Sequence, residues 1–357
     1  MTMITKDLPK YNIAQPAKQT IVEKVAHLLR DSEIKNIDEL LRQLPVKELM
    51  SLEDVFIAVY CVVSDFTDNM GGQKSIRRSN NHNPEFTDAE VLCIEIVGQL
   101  AKQISQSAWY RYVRKNYLYL FPRLCCRTRY VRRVFLLHKM TAFFQQNLCA
   151  LLSASYSVAL LVDSFPIELC NMQRLKSSSQ PFESYGADFG YCAAKKVHYY
   201  GFKCHIVSDL RGIPIFICLT SAAMSDLHAF EFVVTQMLEL HILKGKTIYI
   251  GDKGYVGQEF QQKIKDLYGI TLLSMEREYD KAKYGPSPRN EFLKPIRKLV
   301  ETTIDLFSVE LHAGTTKRRT MKGLANSLIT KLASFNLANF LNYLLDTALL
   351  EITSFVY

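Results

Sequence analysis

The stretch Val158-Ala159-Leu160-Leu161-Val162-Asp163-Ser164 marks the point at which the pattern of this chain changes. Five consecutive apolar residues predict a short buried β-strand, and Asp163 closes that strand. Before residue 152 the apolar residues recur at spacings of three and four, which is typical of helices. The chain is therefore predicted to begin with an all-α region and to continue as a mixed α/β fold.

The second part of the chain alternates strands and helices. A hairpin is predicted from two strand-like runs, 198–209 and 213–220, that flank the turn Asp209-Leu210-Arg211-Gly212. Further strands are predicted at 246–251, which ends at Asp252, and at 270–274. The helices expected between and after these strands are 227–240, 258–268, 292–307 and 321–345.

The length of 357 residues suggests two or three structural units. The predicted boundaries are a helical region at 1–152, a catalytic α/β domain at 153–345 and a C-terminal tail at 346–357. Within the first region, Thr87 and Glu90 form a capping box that predicts a helix start. The segment 71–84, with Gly71-Gly72 at its start, is predicted to be an exposed loop.

The charge of the chain is positive and unevenly distributed. Lys and Arg number 44 against 35 Asp and Glu, which gives a net charge of +9 and favours a polyanionic partner. Between Glu95 and Asp163 there is no acidic residue, although basic residues are frequent there. Two sets of these basic residues are predicted to share helical faces and to bind phosphates: Arg111, Arg114 and Lys115, and Arg129, Arg132 and Arg133.

The cysteines and the hydropathy pattern narrow the class of protein. The nine Cys are scattered, without a CxxC pair or a zinc-like spacing, so we expect reduced thiols in a cytoplasmic protein. The chain has no apolar run of the roughly 18 residues that a membrane-spanning helix needs. We therefore expect no membrane partner.

Three carboxylates stand out against the predicted elements. Asp163 and Asp252 follow two strands, and Glu301 lies inside a later helix. The carboxyl ends of neighbouring parallel strands meet at one edge of a sheet, so the two Asp are expected to converge there. Carboxylates without Cys or His suit Mg²⁺ or Mn²⁺, and two such ions can promote phosphoryl transfer, as in cutting and joining DNA.

Four motifs in this order resemble the DDE transposases of bacterial insertion sequences, in particular the insertion-sequence family numbered nine hundred and eighty-two. They are Leu161-Val162-Asp163-Ser164, Tyr200-Gly201-Phe202-Lys203 leading to Gly212-Ile213-Pro214, Gly251-Asp252-Lys253-Gly254-Tyr255, and Arg297-Lys298-Leu299-Val300-Glu301. The resemblance implies a ribonuclease-H-like core in which Asp163, Asp252 and Glu301 are the catalytic metal ligands.

The third carboxylate is the one where the sequence departs from the family pattern. Related transposases often carry a Tyr before the Arg and a Lys after the Glu, where this chain has Lys294 and Ser308. Only Arg297 and Glu301 match, so Glu310 is the alternative third carboxylate.

The resemblance implies partners and leaves alternatives open. We expect double-stranded DNA, as terminal inverted repeats and as target, and at least a homodimer, because a mobile element has two ends. Lys203, Lys253 and Arg297 are expected to contact DNA near the site. The alternatives are a metal-dependent nuclease of the same fold, and an inactive DNA-binding regulator derived from a transposase.

Three polar residues near these motifs are predicted to be structural. Asp209 is expected to form its turn, and Asp226, beside Ser225, to cap a helix. His205 is expected to be a hydrogen-bonded strand residue, although it shares a strand face with Lys203.

Overall fold

The computed structural model describes residues 51–69, 84–170, 182–193, 196–242, 247–276, 287–345 and 347–352. The predicted loop at 71–84 lies almost entirely outside these ranges. None of the helices in the described ranges is long and apolar enough to span a membrane.

Helices make up the described part of the N-terminal region. They are α1 (Leu52–Asn69), α2 (Asp88–Leu100), α3 (Gln106–Asn116), α4 (Arg127–Leu136) and α5 (His138–Leu151). Helix α2 begins with the predicted capping box, in which the Thr87 hydroxyl accepts the Glu90 N–H at 3.1 Å and the Glu90 carboxylate accepts the Thr87 N–H at 2.6 Å. All residues of α2 are buried, and α1, α3 and α4 each pack against it.

A mixed six-stranded sheet follows. Its strands are β1 (Ala159–Cys170), β2 (Asp188–Cys192), β3 (Val197–Asp209), β4 (Pro214–Ser221), β5 (Ile248–Gly251) and β6 (Thr271–Ser274). Strand β3 is antiparallel to β1, and β2 and β4 pair with opposite ends of β3. On the other side of β1, β5 and then β6 run parallel to it. The predicted mixed α/β fold is confirmed.

The first strand differs from the prediction. It does not end at Asp163 but continues to Cys170, because β3 pairs with it over that whole length. The parallel neighbour β5 is the strand that stops, after the pair Leu161 and Ile250. Asp163 therefore lies where the parallel part of the sheet ends. The short strand β2 was not predicted at all.

Helices cover both faces of the sheet. One face, with Leu160 and Val162, packs against α6 (Asp226–Glu239) and α7 (Gln258–Tyr268). The other face, with Leu161 and Phe165, packs against α8 (Pro288–Asp305) and α9 (Met321–Leu344). These four helices are close to the predicted ranges, and α8 ends in a π-helical turn at Leu306–Glu310.

The core on the α8 and α9 face continues into the helical region. Helix α9 contacts both α2 and α5, and their buried residues belong to the same hydrophobic cluster as Phe165 and Val300. The described helices of the first region and the sheet therefore share one core.

Candidate active site

Asp163 and Asp252 meet at the end of the parallel strands. Each stands two residues after the last β1–β5 pair, Leu161 and Ile250, so the register brings both to the same point of the sheet. The Asp252 carboxylate accepts the Gly254 N–H at 2.7 Å and caps the 3₁₀ turn Lys253–Tyr255. The sheet thus fixes the backbone of both acids, since Asp163 lies within β1 and Asp252 directly follows β5.

Asp163 is a partly buried carboxylate next to another acid. Burial, followed by the negative charge of Asp252, raises its pKa from 3.8 to about 6, and the Arg297 guanidinium opposes both effects without cancelling them. Its side chain is 16% exposed, and its Oδ1 accepts the Ser164 N–H at 2.7 Å. The site therefore concentrates negative charge where water is scarce.

Arg297 links Asp163 to Glu301. Its Nη2 lies 3.2 Å from Asp163 Oδ2 and 2.9 Å from Glu301 Oε1. Glu301 stands one turn after Arg297 on α8, and its side chain is 54% exposed. The structure thus places Glu301 beside Asp163 through a shared cation.

The alternative acid, Glu310, lies elsewhere. Its carboxylate pairs with Lys102 of the helical region at 2.5 Å. The geometry therefore favours Glu301 over Glu310 as the third carboxylate.

The three acids of the site have the ligand chemistry that a hard divalent cation prefers, since Asp163, Asp252 and Glu301 offer only carboxylate oxygens. Their side chains are not arranged to coordinate one ion together. In the described part of the chain, no three His, Cys, Asp or Glu side chains are placed so that they could hold one ion. Arg297 instead lies between two of the acids and supplies the positive charge there.

Asp226 is a site residue that the sequence reasoning missed. Ser225, not Asp226, caps helix α6, because the Ser225 hydroxyl accepts the His228 N–H. The Asp226 carboxylate instead accepts hydrogen bonds from Ser164 Oγ and Lys203 Nζ, both at 3.1 Å. The Ser-Asp pair indicated only that one of the two residues need not cap the helix, and not what the other would contact.

The other residues weighed from the sequence have structural contacts. The Asp209 carboxylate accepts the N–H groups of Arg211 and Ile213 in the β3–β4 turn, as predicted. His205 is fully buried and bonded to Thr220 at 2.9 Å, which agrees with a structural role. Tyr255 is fully buried against Phe230, and its hydroxyl has no hydrogen-bond partner among the described residues.

The residues expected to bind DNA differ in how much of their side chains is exposed to solvent. Lys253 is exposed next to Asp252, whereas Lys203 and Arg297 are largely engaged by Asp226 and by the two acids of the site. Of the residues predicted to bind phosphates on α3 and α4, five are exposed: Arg111, Arg114, Lys115, Arg129 and Arg132. None of these five forms an ion pair with a carboxylate of the described ranges.

Arg133 corrects the prediction for α4. It is buried, and its guanidinium donates to the Phe86 carbonyl and pairs with Asp88 at 2.5 Å. An α-helix turns by about 100° per residue, so Arg132 and Arg133 face different directions. Arg133 is therefore a core residue and does not face DNA.

Comparison with known proteins gives one family. No curated protein matches the chain. A solved structure of the piggyBac transposase synaptic complex with hairpin DNA is similar over 88% of this chain and 79% of that chain, with 12% identity and a TM-score of 0.42. Residues 154–331 match the family described as the transposase DDE domain, and this range contains Asp163, Asp252 and Glu301. The match supports the assignment of this chain to the DDE transposases.

Proposed function

We propose that this protein is a transposase that cleaves DNA at the ends of an insertion sequence and joins those ends to target DNA. The observation that carries the proposal is the meeting of Asp163 with Asp252 at the sheet end, and with Glu301 through Arg297, inside the matched transposase domain. Two acids that meet at the sheet end, with a third joined to one of them through a guanidinium, suit chemistry on a phosphodiester, because that reaction moves negative charge between oxygens.

Asp163, Asp252 and Glu301 are the residues that would hold Mg²⁺ or Mn²⁺, as one ion or two. When bound, the metal would supply charge neutralisation and activation of the attacking oxygen. The chain's own contribution is positional, since β1 and β5 fix the two Asp and α8 carries both Glu301 and Arg297. Arg297 balances the acids, and Lys253 is exposed beside Asp252 for contact with a phosphate.

The finer family assignment is also part of this proposal. We assign the sheet to the ribonuclease-H-like cores, and the chain to insertion-sequence family nine hundred and eighty-two. The order β4-β3-β1-β5-β6, antiparallel on one side of β1 and parallel on the other, supports the first assignment. The four motifs in the sequence support the second.

DNA binding by the helical region rests on charge and exposure. Five of the exposed basic residues on α3 and α4 have no acidic partner among the described residues, and the half-exposed ring of Tyr112 lies beside Arg111 on α3. The five are Arg111, Arg114, Lys115, Arg129 and Arg132. Such a surface favours phosphate contacts, which supply most of the non-specific affinity of proteins for DNA. Because an element has two ends, the working assembly is proposed to contain at least two protomers, on DNA in the bacterial cytoplasm.

The test is a cleavage and joining assay on DNA that carries the genomic ends flanking the gene. Purified protein is incubated with labelled ends and a target plasmid, with Mg²⁺, with Mn²⁺ or with EDTA. A transposase gives metal-dependent cuts at the ends and covalent end–target products. Cuts without joined products would identify a nuclease, and binding of the ends without cuts in either metal would identify an inactive regulator.

A further inference from the structure

Asp226 lies at the catalytic end of the sheet on the face opposite Glu301. Ser164 and Lys203 belong to paired strands and point to the face covered by α6, on which Asp226 is the first residue. Asp163 and Arg297 lie on the α8 face. The two faces meet at the sheet end, so the site has a second set of charged groups that the three acids do not include.

The Asp226 carboxylate contacts two residues close to the proposed active site. Its Oδ1 accepts both Ser164 Oγ and Lys203 Nζ, and Ser164 is the residue after Asp163. The Lys203 ammonium also donates to the Met224 carbonyl at 2.9 Å. An ammonium has three donors, so one N–H of Lys203 remains for another acceptor.

The carboxylates of Asp226 and Asp252 both lie close to Gly254. A Cβ at position 254 would lie 2.9 Å from Asp252 Oδ1 and 3.0 Å from Asp226 Oδ2. Both oxygens therefore border the same small space, which only glycine leaves open. Burial raises the pKa of the Tyr255 hydroxyl, and the nearby charges of Asp226, Asp163 and Asp252 raise it further.

We propose that Asp226 is a positioning residue that holds the Lys203 ammonium near Ser164, the residue after Asp163, where its remaining donor binds the substrate phosphate next to the cleaved bond. The proposal rests on the proposed function. Lys203 and Asp226 have side chains that are 18% and 27% exposed, so the pair reaches solvent yet is shielded enough to have a defined geometry. A lysine fixed by two acceptors loses little further freedom when it binds a phosphate.

The proposal and simple electrostatics predict opposite results for the removal of the Asp226 charge. If Asp226 only adds negative potential, Asp226→Asn should strengthen binding of a polyanion. If it positions Lys203, the same variant should slow cleavage at saturating DNA by about a hundredfold, as a misplaced contact can. It should also lower the slope of log affinity against log salt by about one, as loss of one phosphate contact does.

The experiment compares Asp226→Asn, Lys203→Met and the double variant with wild type, on end DNA, for cleavage rate and for binding without metal. Glu231→Gln is the matched control, because Glu231 lies on the same helix but does not contact the site. Its carboxylate pairs with Lys263 on α7, at an N–O distance of 2.8 Å. The double variant should be no more than about twofold slower than Lys203→Met alone, since both changes remove one interaction. Multiplied losses, or an Asp226→Asn protein that behaves like Glu231→Gln, would overturn the proposal.

A second measurement depends only on DNA binding and needs no cleavage. Single neutral methylphosphonates are placed at each phosphate near the end, and binding is measured by fluorescence anisotropy. The phosphate beside the cleavage site should be sensitive in wild type and in Glu231→Gln, and insensitive in Lys203→Met and Asp226→Asn. Equal sensitivity in all four proteins would contradict the proposal, even if the protein proved to bind DNA without cutting it.

Discussion

Asp163 is a carboxylate held where its charged form is costly. Burial and the neighbouring charge of Asp252 raise its pKa to about 6, and Arg297 offsets only part of that effect. A group whose pKa is higher in the folded state stabilises the fold when protonated. That contribution is complete below pH 3.8, the ordinary value, and is lost as pH rises through 6.

The first prediction follows from that sign. In metal-free buffer, Asp163→Asn should raise the free energy of unfolding by about 2 kcal/mol at pH 8, and the gain should vanish near pH 4. Urea unfolding at the two pH values measures it. Asp266→Asn, an exposed acid on α7, is the control and should change neither value by more than about 0.5 kcal/mol. Destabilisation by Asp163→Asn at pH 8 would show that Asp163 is not under this electrostatic penalty.

At the scale of elements, sequence patterns predicted most of the fold because they are local. The periodicity of apolar residues gave the hairpin, α6, α7 and α9, and the capping box gave the start of α2. The extension of β1 beyond Asp163 could not be predicted, because it depends on pairing with a strand that is distant in the sequence, from Ser164 with His205 to Cys170 with Tyr200. Asp226 was missed for the same reason, since its partners lie on β1 and β3.

Two adjacent arginines of helix α4 have different environments, which the charge pattern did not predict. The sequence grouped Arg132 with Arg133, whereas the structure turns Arg133 inward to Asp88 and leaves Arg132 exposed. The two adjacent arginines therefore have different functions, one in packing and one on the surface proposed to bind DNA.

The second prediction compares these neighbours. Arg133→Met should lower the free energy of unfolding by about 3–5 kcal/mol, because it leaves the buried Asp88 charge without a partner. Arg132→Gln should change stability by less than about 0.5 kcal/mol and lower the salt slope of DNA binding by about one. Thermal unfolding and anisotropy titrations measure both. Similar losses of stability in the two variants would contradict the finding that Arg133 is buried and Arg132 is exposed.

At the scale of the whole molecule, α9 joins the helical region to the sheet. Its Phe335 is fully buried and lies 6.2 Å from Phe307, ring centre to ring centre, while α2 and α5 pack on the same helix. Because one core crosses the predicted boundary at residue 152, we expect the described parts of both regions to unfold together.

The third prediction tests that shared core. Phe335→Ala should lower the free energy of unfolding by about 3–5 kcal/mol. Trp109, the one tryptophan of the chain, is buried in α3 and reports on the helical region by fluorescence, while circular dichroism reports on the whole fold. The two signals should shift together in urea and remain coincident. A Trp109 transition that stays at the wild-type midpoint would show that the helical region folds independently.

The central claim is that Asp163, Asp252 and Glu301 carry the reaction, and the most direct test is single-turnover cleavage of the genomic end DNA by Asp163→Asn, Asp252→Asn, Glu301→Gln and Glu310→Gln. The first three should bind the ends but lose cleavage in both Mg²⁺ and Mn²⁺ by at least about a thousandfold, since each removes a group from the reacting centre. Glu310→Gln should cleave at the wild-type rate, because Glu310 pairs with Lys102 away from the other acids. Normal cleavage by Glu301→Gln together with loss of cleavage by Glu310→Gln would contradict the proposed triad.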